Sequence, residues 1–196
     1  MSSQGANKSE GFIDPPFANS LFNNPKWAWL WLIMRVYVGY TWLTSGLGKL
    51  SNPAWTQTGE ALKGFWQAAV AVPDAPAHPL IVFDWYRGFL QFMIDARAYT
   101  WFSKLVYTGE ILIGVALILG LFTGIAAFFG GMMNWNFMMA GSASTNPVLF
   151  TLAILLILAW KTAGWWGLDR FVLPAFGTPW QRGKFFGRKA TENTGG

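Results

Sequence analysis

Residues 103 to 124 read SKLVYTGEILIGVALILGLFTG, long and apolar enough to cross a bilayer as one helix, yet with a carboxylate, Glu110, inside. A spanning helix of ~20 residues satisfies its own backbone hydrogen bonds, which is why lipid accepts it. The same lipid penalises an ionised group at its centre by roughly 2.5–3.5 kcal/mol unless that group is paired, hydrated or protonated. Stepping by four and three residues puts Ser103, Tyr107, Glu110, Gly114, Leu117, Leu121 and Gly124 on one face. Glu110 therefore shares a packing surface with a glycine, and other polar groups of the chain must face it.

The rest of the chain suits a membrane setting. It is 53% hydrophobic and only 12% charged, about half the charged fraction of an ordinary soluble domain. Its 13 Trp and 17 Phe fit a protein with two bilayer interfaces to populate. The net charge of +5 comes mainly from Arg182, Lys184, Arg188 and Lys189 near the end, with no nucleic-acid motif beside them. That cluster suits an anionic cytoplasmic leaflet, so nucleic acid is not expected as a partner. With no Cys and a single His, His78, the chain alone cannot ligate an iron–sulfur cluster, a bis-His haem or a His-rich metal site.

In chain order, residues 1–24 read as a polar arm without hydrophobic periodicity. The first span covers about 27–47, opened by Pro25 and fronted by Lys26, Trp27, Trp29 and Trp31. One of its faces lines up Arg35, Gly39, Trp42, Gly46 and Lys49, a stripe that must face protein. Residues 51–102 are too polar to span and predict two short helices, Glu60 to Ala71 and Leu80 to Ala96. The second is amphipathic, with Asp84, Gly88, Gln91 and Asp95 opposite Val82, Tyr86, Phe89 and Met93; it lies either on the membrane surface or over the spans. Further spans follow at about 103–122, 123–141 and 147–166, the third placing Asn134 on a stripe with Ala127, Gly131, Met138 and Gly141.

The pattern predicts an all-α membrane protein: a four-transmembrane-helix bundle over residues 25–171, with a long extracytoplasmic loop containing short amphipathic helices, and a basic tail at 172–196. An even number of crossings puts both termini on one side, and Lys8, Lys26, Lys161, Arg170 and the tail cluster make that side cytoplasmic.

Helical rise places Arg35 ~12 Å and Asn134 ~16 Å into the membrane from the cytoplasmic side, and leaves Glu110 ~8 Å from Arg35 along the axis. Two partners for Glu110 follow, Arg35 from below and Lys49 from the outer end of the same stripe. Arg35 is favoured, because a guanidinium cannot shed its proton when buried. Such a pair either fixes helix register or forms a ligand or proton site.

Three segments together, MRVYVGYTWLTSGLGKLSNPAW, GEILIGVALILGLFTGIAAFFGGMMNWNFMMAGSASTNP and AGWWGLDRF, resemble the DoxX-type four-helix membrane proteins, and especially the DoxD subunit of thiosulfate:quinone oxidoreductase. The resemblance implies a prokaryotic inner-membrane protein that passes electrons from thiosulfate to a quinone with a DoxA-like partner subunit. On that reading Lys49, Lys104, Arg87 and Arg97 attract the sulfur oxyanion, and Glu110, Arg35 and Asn134 handle the quinone's protons and carbonyls. The ring takes an apolar slot drawn from Trp42, Tyr107, Trp135 and Met138. The alternative is a non-catalytic accessory subunit of a larger respiratory or photosynthetic complex. A transporter is disfavoured, since four spans without repeats or broken helices make a poor alternating-access device.

Overall fold

The computed structural model describes residues 14–177, and all regular structure among them is helical. Lys8 and the tail cations Arg182, Lys184, Arg188 and Lys189, on which the expected orientation leans, lie outside the described residues. In chain order the helices are α1 (Pro16–Asn23), α2 (Ala28–Leu50), α3 (Pro53–Thr56), α4 (Glu60–Val70), α5 (Asp84–Asp95), α6 (Tyr99–Leu119), α7 (Thr123–Met139), α8 (Asn146–Leu158), α9 (Trp160–Ala163) and α10 (Asp169–Val172).

Four of these carry the architecture. Helix α2 packs along α6 and α7 along α8, while α6 touches α7 and α2 touches α8, which closes a ring. The α2–α6 seam is the tightest contact, because the two glycine stripes read from the sequence meet there. A Cβ on Gly114 would lie 2.6 Å from the Leu43 amide nitrogen and 2.8 Å from the Gly39 carbonyl oxygen. A Cβ on Gly46 would lie 3.0 Å from the Tyr107 carbonyl oxygen. Only hydrogen side chains let these antiparallel backbones come so close.

Inside the ring Trp31, Val38, Trp42, Leu117 and Leu156 form one buried cluster. A second, built from Leu62, Trp66, Ile81, Tyr86, Leu90 and Tyr99, joins α4 and α5 to the loop end of the ring. Tyr86 fastens α5 there by donating to the Asn136 carbonyl oxygen at 3.1 Å, and burial pushes its phenol above the ordinary value, so it remains a neutral donor. The outer faces are apolar on all four long helices, with Ile33 and Tyr40 exposed on α2, Leu105 and Leu112 on α6, Phe128 and Phe129 on α7, and Val148 and Ile154 on α8. Among the described residues, α6 is the one helix long and apolar enough to cross a membrane by itself, and α8 is apolar but only 13 residues long.

Several boundaries differ from the sequence reading. Helix α6 ends at Leu119, not Phe122, because the next residue, Gly120, adopts a left-handed conformation (φ 67°) that glycine takes without strain. Leu121 and Gly124 therefore leave the Glu110 face; Gly124 lies in the first turn of α7, where a Cβ would press on Trp160. The helix expected from Leu80 starts only at Asp84, and its apolar side is divided. Tyr86 and Leu90 are buried, while Phe89 and Val82 point outward beside Trp85 and Phe92. Part of the polar arm is ordered as α1, whose Phe22 stacks on Trp31 at 5.5 Å, a contact too short in sequence to show as periodicity. The Thr162 hydroxyl donates to the Phe22 carbonyl oxygen, so both described chain ends lie at one end of the ring.

Candidate functional site

The polar groups separate to opposite ends of the ring. At the loop end, the Lys49 ammonium donates to both Glu110 oxygens at 2.8 and 2.7 Å and to the Ser45 hydroxyl at 2.8 Å. Glu110 is 1% exposed and the Lys49 side chain 19%, so the pair stands between protein and an opening. That opening is a cavity of about 300 Å³ whose floor is the pair. Trp42, Trp55, Phe65 and Phe137 supply aromatic wall, and Thr41, Ser142, Ser144 and Thr145 add hydroxyls. The Lys49 ammonium also lies 5.2 Å from the Trp55 ring, a cation–π contact that further fixes its position.

Arg35 does not meet Glu110. It is level with Gly120, ten residues or ~15 Å along α6 from the carboxylate, because a Cβ on Gly120 would collide with its guanidinium. Its Nη2 donates to the Trp166 carbonyl oxygen at 3.2 Å, and it makes no ion pair among the described residues. The expectation that favoured Arg35 over Lys49 is thus overturned: Arg35 belongs to the end of the ring, not to its middle.

Asp169 is a structural anchor to which sequence periodicity assigns no role. Fully buried, it accepts from the amides of Phe122 at 2.6 Å and Thr123 at 2.9 Å, the open N-terminus of α7. Its own amide and that of Leu168 donate to the Gly120 and Leu119 carbonyl oxygens, capping α6. The GWWGLDR run, containing Gly164 and Asp169, thereby clamps the α6–α7 turn, and no periodicity signals a cap borrowed from about 47 residues away. Asp169→Asn should lower stability by about 2 kcal/mol, since one charge-assisted acceptor is lost while the shape is kept. Thermal unfolding in detergent measures this, and an unchanged midpoint would remove Asp169 from its capping role.

The other candidates are scattered. Trp42 lines the cavity, Tyr107 is half-buried on the α2–α6 seam, Trp135 is exposed on the outer face of α7, and Met138 is half-buried without lining the cavity. Asn134 is fully buried and its amide finds no hydrogen-bond partner among the described residues. Lys104 and Arg97 are exposed away from the cavity, and Arg87 is held by Asp84 at 2.8 Å and by the Ile81 carbonyl oxygen. Of the four expected anion-attracting cations, only Lys49 reaches the site. Missed were Ser45, legible as the residue four before Lys49, and Ser142, Ser144 and Thr145, which lie between the third and fourth expected spans.

Among the described residues no His, Cys, Asp and Glu cluster could hold a metal ion. Residues 30–141 match the family model described as DoxX. No curated protein and no solved structure matches the chain.

Proposed function

The chain belongs to the DoxX family, whose members are generally membrane proteins, and from that premise we propose that it is the membrane subunit of a quinone-linked oxidoreductase, with the Lys49–Glu110 cavity as its quinone site. On this reading α2, α6, α7 and α8 cross the bilayer together. The apolar outer faces of all four support that, since a ring shares its burial and each helix need not qualify alone.

The observation that carries the site is a mutually neutralised ion pair at the floor of an aromatic-walled cavity. Because Glu110 already takes the Lys49 charge, the floor suits a neutral flat ring better than a sulfur oxyanion. Trp42, Trp55, Phe65 and Phe137 would hold such a ring, and Lys49 with the hydroxyls would orient its carbonyl oxygens. A bound quinone takes up two electrons and two protons, and the two electrons match those released when two thiosulfates join through a sulfur–sulfur bond. An ammonium 2.7 Å from a carboxylate can pass a proton within the pair, so Lys49 and Glu110 can deliver one to a ring oxygen and be recharged through the hydroxyl rim. Without Cys and with one His, this chain leaves any electron relay to a partner subunit of the DoxA type.

Protein purified in mild detergent should copurify with quinone and, with its partner, reduce a quinone analogue on thiosulfate addition. Glu110→Gln should cut turnover per folded molecule at least ~10²-fold, the usual effect of losing a positioned proton donor, beyond any loss of stability. Substoichiometric quinone, no turnover and comigration with a large complex would instead establish the accessory-subunit reading. That reading has one observation of its own, the exposed Trp85, Phe89 and Phe92 on α5.

A further inference from the structure

At the end of the ring that holds both described chain ends, a groove of about 530 Å³ opens beside the α6–α7 turn, away from the Lys49–Glu110 cavity. Its wall is almost wholly apolar: Phe122 and Ile125 from the start of α7, Ile157 and Trp160 from α8 and α9, and Leu173 and Phe176 beyond α10. The Phe122 and Phe176 rings meet edge to face at 6.0 Å. Thr123 also lines it, with a buried hydroxyl that has no hydrogen-bond partner among the described residues.

Charge distinguishes this groove from plain apolar surface. The Lys161 ammonium lies 6.0 Å from the ring of Trp160, itself part of the wall, and the Arg170 guanidinium 5.0 Å from the ring of Trp165. Arg170 comes three residues before the wall residue Leu173, on the same turn of chain. Neither cation is in an ion pair among the described residues. The nearby carboxylate, Asp169, accepts from the Phe122 and Thr123 amides and makes no ion pair with either cation. Lys26, Trp27 and Trp29 at the start of α2 and Trp165 and Trp166 mark the same end, the mixture of indoles and cations found where a bilayer meets water.

We propose that this groove is a binding site for an anionic phospholipid. One acyl chain lies along Ile125, Ile157 and Trp160, the Thr123 hydroxyl donates to an ester carbonyl, and Lys161 and Arg170 hold the phosphate. A zwitterionic lipid offers the same chains but meets two cations with no net negative charge, so the groove discriminates by headgroup. Because α7 begins in its wall, an occupied groove also braces the turn that Asp169 caps.

Native mass spectrometry of the full chain, delipidated and titrated with phosphatidylglycerol or phosphatidylcholine, tests this. The protein should retain phosphatidylglycerol with about tenfold preference, given the attraction of two surface cations for an anionic headgroup. Lys161→Gln with Arg170→Gln should bring the two lipids to parity. Ile125→Trp, at a position 58% exposed and therefore tolerant of bulk, should block retention of both while leaving the melting midpoint in place. Equal retention by the unmodified protein, an undiminished preference in the double variant, or full retention by Ile125→Trp would each overturn the proposal. So would lipid retention that appears only when the chain is shortened after Gly177, which would assign the groove to the segment that follows.

Discussion

Gly114→Leu should be the most destabilising single change in the ring, lowering stability by about 3 kcal/mol or more in detergent unfolding. The reason is that what a side chain there meets is backbone. Its first carbon would stand 2.6 Å from the Leu43 nitrogen and 2.8 Å from the Gly39 oxygen, atoms that move only if two helices separate along their length. Separation would also draw Lys49 away from Glu110, since the two residues sit on those same helices. Gly48→Ala in the same α2 is the control. None of the described residues lies within 4 Å of a Cβ at that position, so alanine should be neutral or stabilise by up to ~1 kcal/mol through helix propensity. A Gly114→Leu variant as stable as the Gly48→Ala protein would mean that the close seam is not what holds α2 to α6.

The second large effect is the loss of one member of the ion pair. Lys49→Met should cost about 3 kcal/mol, the lower part of the range for breaking a buried pair, because the Lys49 side chain retains 19% exposure while Glu110 retains 1%. The cost arises less from the lost attraction than from the carboxylate left in an apolar wall with Ser45 as its neighbour. Replacing both, with Lys49→Met and Glu110→Leu together, should recover most of the stability, since two well-packed apolar side chains leave no uncompensated charge. A double-mutant cycle measures this directly. Strong coupling is expected between Lys49 and Glu110, whereas Arg35→Leu and Glu110→Gln should simply add, their positions being ~15 Å apart along α6. Coupling of Glu110 to Arg35 and not to Lys49 would reverse the assignment of the site.

In the catalytic reading these two substitutions also separate folding from chemistry. Gly114→Leu harms the seam without removing a proton-bearing group, and the paired Lys49→Met and Glu110→Leu protein keeps the seam while emptying the cavity floor of ionisable groups. Quinone reduction lost in the second protein at near-normal stability would place the chemistry at the pair. Activity that survives there would move it elsewhere.

The helical faces were legible in the sequence. Arg35, Gly39, Trp42, Gly46 and Lys49 on α2, and Glu110 with Gly114 on α6, fall on inward stripes because the 3.6-residue period is a local property that any helix imposes. The glycines announced close packing for the same reason. The Asp169 cap and the cavity hydroxyls were not legible in this way, since a cap from a distant residue and a ring of hydroxyls around a turn carry no period. Loop helix α5 fell between the two: its amphipathic character could be read, but Phe89 faces out and Leu90 in because α4 and α7 choose which apolar side to cover.

By itself, then, the sequence determined that the chain is helical, apolar enough for a membrane family, and obliged to hide a carboxylate and two cations within its packed faces. It could not determine which cation meets which anion. That choice depends on the axial offset between α2 and α6, set by where Gly39, Gly46 and Gly114 allow the backbones to seat. In that register Lys49 stands roughly one turn past the level of Glu110 and reaches back along its flexible stem, while Arg35 is carried to the far end, where its guanidinium donates to the Trp166 carbonyl oxygen. Helix periodicity is written residue by residue, but register between helices exists only once they have packed.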